Sequence, residues 1–247
     1  MRVIILAAGQ GTRLRPLTNN KPKCMVELLG KPLIKHQLDV LNSKGINDVY
    51  VATGYLEGKI KYPQIKAKFY NSKYNTTNMV VSLFSAVEIM EGEDLLITYG
   101  DIVYNKSLID SVIKDESEIS VVVDKQWRKY WEARMENPID DAETLKINEE
   151  GEIIELGKKA FNLDEIQGQY IGMIKIRKDF VRSFIDYYYK LDRNALYDGN
   201  NFDNMYMTSF LQKITDELIP LKPIFINNGW MEVDEPSDLE FTDFLNH

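Results

Sequence analysis

Apolar residues along the chain follow two rhythms. Short, continuous, mostly β-branched runs at residues 3–6, 49–52 and 95–98 have the character of strands buried on both faces. Between them, residues 33–41 and 79–90 carry apolar positions three and four apart, the stripe of a helix packed on one side. Strand and helix in alternation predict βαβ units around a parallel sheet. Gly45 and Asp48 punctuate the entry to the second strand, and Glu91-Gly92-Glu93-Asp94 ends the second helix. Past Ser107 the rhythm loosens, with strands expected at residues 119–123, on either side of an acidic turn within 146–156, and at 170–176. Helices are expected at 180–191 and 205–218, with Tyr187, Tyr188 and Tyr189 as packing residues. Residues 194–204 are polar and rich in turn formers, which predicts a mobile loop.

The first strand runs straight into Ala7-Ala8-Gly9-Gln10-Gly11-Thr12-Arg13-Leu14-Arg15-Pro16-Leu17, with Lys21-Pro22-Lys23 close behind. Glycine at 9 and 11 lets backbone amides approach an anion where a Cβ would block them. Arg13 offers a planar fork to phosphate oxygens and Lys23 a mobile point charge, a pair suited to a triphosphate whose leaving pyrophosphate gathers charge. Other phosphate loops fit poorly: a dinucleotide fingerprint needs glycine where Leu14 stands, and a P-loop needs Gly-Lys-Ser/Thr where the chain reads Gly-Thr-Arg. An isolated Gly-x-Gly would read as a tight turn, but the added Arg13, Pro16, Lys21, Pro22 and Lys23 favour phosphate.

Asp101 follows the third strand beside Gly100, so a carboxylate stands at a strand end where a ligand can come close. Ligands gather at the carboxyl ends of parallel strands, which places the glycine loop, Tyr55 and Asp101 on one rim. Mg²⁺ takes oxygen ligands, and one or two carboxylates with substrate phosphates would hold it. Alone, such an acid reads as a cap or a surface charge sooner than as a metal ligand.

The chain has 247 residues, 44% of them hydrophobic, enough to build one large α/β domain. A net charge of −8 argues against broad nucleic-acid binding while leaving room for a local basic pocket. Cys24 is the sole cysteine, so no internal disulfide forms and a reducing compartment fits. The initial apolar run is too short for a signal or a membrane span, so a cytoplasmic protein is expected.

Leu6-Ala7-Ala8-Gly9-x-Gly11-Thr12-Arg13-Leu14-x-Pro16-Leu17-Thr18 with Lys21-Pro22-Lys23 resembles the signature of the bacterial sugar-phosphate and choline-phosphate nucleotidyltransferases. The likeness continues through Gly30-Lys31-Pro32-Leu33, Gly54-Tyr55-Leu56, residues 75–82, Tyr99-Gly100-Asp101 and Val233-Asp234-Glu235. Within the family the chain is most similar to the CTP-dependent phosphocholine or phosphoglutamine cytidylyltransferases. The resemblance implies a Rossmann-like three-layer α/β/α fold with a central mixed, mainly parallel sheet. It implies one unit over 1–247, with a nucleotide-binding half at 1–105 and an acceptor-binding half at 106–247. Arg13 and Lys23 become catalytic, and Asp101 with Asp234 holds Mg²⁺, with Glu235 and Asp238 as neighbouring competitors. Leu6, Ala7, Ala8, Gly9, Gly11, Thr12, Tyr55, Asn78, Ser82 and Gly100 become nucleotide contacts, although Asn78 reads equally well as the cap of the following helix.

For the acceptor, Trp127, Tyr130, Trp131 and Trp230 offer aromatic faces to a quaternary ammonium or serve as ordinary core. Lys125, Arg128 and Arg134 could instead pair with the carboxylate of an amino-acid phosphate, and charge favours that acceptor. Lys158, after a strand-breaking Gly157, together with Tyr170, Asp203 and Asn204 completes the expected acceptor set; His36 reads as structural. The expected partners are CTP and a small phosphorylated acceptor, with no nucleic acid and no membrane and a homodimer left open. Expected chemistry is transfer of CMP with release of pyrophosphate, for capsule or other surface polysaccharide. The rivals are a hexose-1-phosphate uridylyl- or thymidylyltransferase and a nucleotide-binding regulatory protein.

Overall fold

The computed structural model describes residues 1–246; His247, the last residue of the expected single unit, lies outside the described residues. In chain order the principal elements are β1 (Arg2–Ala7), α1 (Leu33–Ser43), β2 (Asp48–Thr53), β3 (Ile65–Tyr70), α2 (Met79–Phe84), β4 (Leu95–Tyr99), β5 (Ile102–Tyr104), α3 (Lys106–Lys114), β6 (Ile119–Asp124), α4 (Trp127–Arg134), β7 (Glu143–Ile147), β8 (Ile153–Lys159), β9 (Gln169–Ile176), α5 (Val181–Lys190), α6 (Met207–Glu217), β10 (Lys222–Ile226) and β11 (Trp230–Glu232).

Seven strands form one sheet in the order β10-β6-β9-β4-β1-β2-β3. β9 alone runs against the others, antiparallel to both β4 and β6, so the sheet is mixed and mainly parallel, as expected. Side chains on a strand alternate faces, and β1 shows the result: Val3 and Ile5 join a core with α1, α3 and α4, while Ile4 and Leu6 join a second core with α2, α5 and α6. The sheet is thus the middle of three layers. Its central strand is all but free of water because both faces are covered.

Three sequence expectations change. The helix expected over 79–90 ends at Phe84 and gives way to a 3₁₀ turn at Val87–Ile89. Ser85 donates its hydroxyl to the Ser82 carbonyl at 2.6 Å, offering the backbone a local alternative to the next helical turn. Gly157 does not break its strand: β8 continues to Lys159 with a register shift against β7, and Gly157 adopts φ +76°. A Cβ there would collide with the Thr208 side chain of α6, so the bulge requires glycine. The loop expected to be mobile holds a small ladder instead, Leu196–Tyr197 against Asn200–Asn201. Its turn is Asp198-Gly199, both at positive φ, the geometry of a two-residue hairpin.

Candidate active site

The ends of three parallel strands are laced together. Tyr55 donates its backbone N–H to the Ala8 carbonyl at 3.0 Å, and Gly100 donates to the Leu6 carbonyl at 2.8 Å. Beyond Ala8 the chain turns through Gly11 at φ +62°, where a Cβ would lie 2.9 Å from the Cβ of Lys23. Glycine therefore permits both the turn and its closure onto the lysine. Thr18, fully buried, fixes the closure by donating its hydroxyl to the Gly11 carbonyl at 2.7 Å. Thr12–Leu14 form a 3₁₀ turn that buries Leu14 and leaves Arg13 facing solvent.

Lys23 opens a 3₁₀ turn after Pro22, and its ammonium donates to Asp101 at 2.5 Å and also to Asp234. Arg13 donates to the second oxygen of Asp234 at 2.5 Å. Two cations from the signature loop thus meet two acids that are 133 positions apart in sequence (234 − 101).

Each acid is held from behind. Gln37 of α1, fully buried, donates through Nε2 to the carbonyls of Tyr99 at 2.8 Å and Ile102 at 2.7 Å, bracketing the turn that carries Asp101. β11 pairs antiparallel with β5, placing Glu232 opposite Ile102, and Val233 donates to the Asp101 carbonyl at 3.0 Å, so Asp234 follows beside Asp101. Asp238 accepts the backbone N–H groups of Asp234 at 2.7 Å and Glu235 at 2.8 Å, and is itself clamped by Arg134 at 2.9 and 3.1 Å. Asp238, a competitor for the metal in the sequence, is instead the anchor of the loop.

A third carboxylate joins the pair. Oxygens of Asp101, Glu232 and Asp234 lie within 4.8 Å of one another. Asp101 Oδ1 is buried with no hydrogen-bond partner, an acceptor left unsatisfied beside the other two acids. A hard-oxygen donor set of this kind fits a divalent metal ion. Desolvation opposes the Lys23 charge, but Asp101, Asp234 and Glu232 outweigh it and raise its pKa above that of an ordinary lysine. Burial and the neighbouring Asp234 and Asp101 push the Glu232 carboxyl up, whereas Lys23 and Arg13 overcome desolvation and hold Asp234 low.

A cavity of about 660 Å³ opens beside this cluster, lined by Leu6, Ala7, Ala8, Gly9, Lys23, Asn78, Ser82, Gly100 and Asp101, together with Tyr74, Thr77 and Tyr99. Gly11, Thr12 and Tyr55 are not in its wall; Tyr55 donates its hydroxyl to the Asn19 carbonyl at 3.0 Å. Asn78 caps α2, its Oδ1 accepting from Met79 N at 2.7 Å, while also lining the cavity. A second cavity of about 740 Å³ shares Met79 and Tyr99 with the first and is lined by Tyr170, Trp230, Trp131, Tyr206, Thr208 and the acids Asp141, Glu143 and Glu232.

One family description matches residues 3–150, the MobA-like NTP transferase domain. The chain is 47% identical over 97% of its length, and 98% of the relative's, to the CTP:phosphoglutamine cytidylyltransferase of Campylobacter jejuni. The chain belongs to the NTP transferase family. A second relative, the choline-phosphate cytidylyltransferase of Streptococcus pneumoniae, is 45% identical over 36% of the chain and 40% of its own length. The solved structure of a pneumococcal CTP:phosphocholine cytidylyltransferase shares the fold with TM-score 0.71 at 22% identity, over 100% of this chain and 99% of that one. An inositol-1-phosphate CTP transferase from T. maritima does so with TM-score 0.75 at 21% identity, over 98% and 93%.

Within this NTP transferase the expected acceptor residues separate. Tyr170 and Trp230 line the second cavity, while Trp127 is buried against Trp131 and Lys158 is paired on the surface with Glu155. Asp203 and Asn204 brace α2 through their carbonyls, which accept from Asn78 N at 2.8 Å and Asn78 Nδ2 at 3.4 Å. The cations expected to meet a substrate carboxylate face elsewhere. Arg134 is committed to Asp238 and Glu232, Arg128 to Glu132 and Asp164, and Lys125 sits over the Phe225 ring. Sequence reasoning missed Glu232, Asp141, Glu143, Tyr74 and Thr77. For Glu232 a signal existed, since Glu-x-Asp at a strand end, where extended backbone alternates sides, brings both carboxylates to one side.

Proposed function

We propose that this NTP transferase is a Mg²⁺-dependent cytidylyltransferase that moves CMP from CTP to phosphoglutamine and releases pyrophosphate. The observation that carries the reading is Lys23, held between Asp101 and Asp234 at the mouth of a cavity walled by the signature loop. Near-full-length likeness to the phosphoglutamine enzyme of Campylobacter jejuni supports the donor and the acceptor together. Phosphocholine is the second acceptor. Both carry a cationic amine, and the second cavity offers acids without a lining lysine or arginine, an environment a hexose phosphate would leave unused.

The reaction is an in-line attack by an acceptor phosphate oxygen on the α-phosphorus, with pyrophosphate leaving. The acceptor's phosphoryl group is already anionic near neutral pH, so the protein's work is alignment and neutralisation, with no protein nucleophile. On this reading Lys23 meets the α-phosphate and the acceptor phosphate, and Arg13 the departing β and γ phosphates. Asp101, Asp234 and Glu232 would hold Mg²⁺. The chemistry supplied there would be positive charge to offset that of the phosphates. The backbone of Ala7, Ala8 and Gly9 with Asn78 and Ser82 takes the nucleoside, and Tyr170 and Trp230 border the acceptor. On this reading residues 1–105 are the nucleotide-binding half and the remainder the acceptor-binding half of one cytoplasmic unit, acting in capsule or other surface polysaccharide modification.

Pyrophosphate release from CTP, UTP and dTTP, each crossed with phosphoglutamine, phosphocholine, phosphoethanolamine and glucose 1-phosphate, tests the assignment. CTP with phosphoglutamine is expected to give the highest kcat/KM. Turnover confined to glucose 1-phosphate with UTP or dTTP would overturn it.

A further inference from the structure

Asn71, buried just past β3, holds two neighbouring hydroxyls in fixed polarity. Its Oδ1 accepts the Lys73 backbone N–H at 2.9 Å. A backbone amide can only donate, so this contact decides which end of the Asn71 side chain is oxygen. The Nδ2 end gives its two hydrogens to Thr77 Oγ1 at 2.9 Å and Ser82 Oγ at 3.0 Å. Thr77 passes its own hydrogen to the Lys73 carbonyl at 2.9 Å and is spent as a donor. Ser82 is not: its oxygen receives from Asn71, and among the described residues no hydrogen bond takes its hydroxyl hydrogen. The residue is 3% exposed and lines the 660 Å³ cavity, so that hydrogen is offered to whatever fills the space.

We propose that Asn71 is a positioning residue for the choice of pyrimidine, holding the Ser82 hydroxyl as a donor toward the base. The inference rests on the reading that the nucleoside of CTP occupies this cavity. Cytosine presents an acceptor at N3 and satisfies Ser82. At N3 uracil presents N–H, which leaves the Ser82 hydrogen unpaired in a buried site; a contact at the 4-position would instead favour uracil, whose O4 accepts, and the CTP/UTP ratio separates the two. O2 is common to both bases and does not discriminate. The sequence around Ser82 shows a contact without its direction; the direction comes from Asn71, on another element.

The test compares kcat/KM for CTP and UTP, with phosphoglutamine as acceptor, in the wild type, Ser82→Ala and Asn71→Asp. Melting temperature serves as the check on folding. In Asn71→Asp a carboxylate replaces the donating amide, draws the Ser82 hydrogen inward and turns a lone pair toward the base. The preference for CTP over UTP is expected to fall about tenfold in Ser82→Ala, the scale of one unpaired buried donor, and at least as far in Asn71→Asp. Equal losses with both triphosphates, leaving the ratio within about twofold of wild type, would make Asn71 merely structural and overturn the proposal. If Asn71→Asp does not fold, Asn71→Ser, which also removes the donating amide, takes its place, and a ratio unchanged in it overturns the proposal. A wild type that prefers UTP, or uses neither triphosphate, overturns this inference and the cytidylyltransferase reading together, whereas a CTP preference unchanged by the substitutions overturns this inference only.

Discussion

At Lys23 a single ammonium is the meeting point of the signature loop, the turn after β4 and the segment just past β11. Lys23→Ala should lower kcat by about two orders of magnitude or more, the scale seen when a charge-stabilising donor is lost, with an unchanged circular dichroism spectrum. Cys24 lies next to it, buried at the back of the first cavity; burial, with Asp101 nearby, pushes its thiol up to about 12. Native protein at pH 8 should therefore resist iodoacetamide until unfolded, and rapid labelling would contradict that burial. Gln37→Leu strips the donor from two buried carbonyls and should destabilise the fold by about 2 kcal/mol or more, read as a shift in urea midpoint. The sequence announces Lys23 and Asp101 because the loop motif and the strand end surround them. It is silent on Gln37, whose neighbours in the chain say only that it belongs to a helix.

Elements were legible where they are central and obscure where they lie at edges. β1, β2, β4 and β6 are buried on both faces and read as apolar runs. β3 and β10 close the two sides of the sheet and escaped notice, because β3 carries Lys66 and Lys68 and β10 contains Pro223. Charges and proline on an edge strand deter pairing with another molecule, and the same residues disguise the strand in a sequence. The joint between β1 and β2 supplies a test. Desolvation favours the neutral form of Asp48, but hydrogen bonds from Lys66 and Arg2 hold its carboxyl below the ordinary range. A lowered pKa stabilises the fold above the unfolded value and loses that contribution as pH falls through the folded one. Asp48→Asn should thus cost about 1 kcal/mol or less at pH 7, given partial exposure, and the melting-temperature difference should shrink below pH 4.

Across the whole molecule, the sheet separates two apolar cores while its carboxyl rim gathers polar chemistry from both ends of the chain. Asp234 was placed beside Asp101 only by resemblance, since no local pattern joins residues so distant; the β5–β11 ladder provides the physical reason. The second cavity was least legible, for its wall takes between one and four residues from each of α4, β7, β9, α6 and β11. If the three acids hold a divalent ion, millimolar MgCl₂ should raise the melting temperature of the wild type, and Asp101→Asn with Asp234→Asn should abolish the rise. An unchanged melting temperature in the wild type would count against the site. No helix among the described residues is long and apolar enough to cross a membrane.

The β5–β11 pairing has a consequence for when activity can begin. A growing polypeptide released only as far as residue 229 would contain the signature loop, all seven sheet strands and one of the three carboxylates, Asp101. Glu232 and Asp234 emerge from the ribosome afterwards, with the last stretch of β-structure. Trp230, Met231 and Val233 of that same stretch are buried in the first core, so completion of the core and assembly of the acidic cluster are a single event that waits for the last residues to be made.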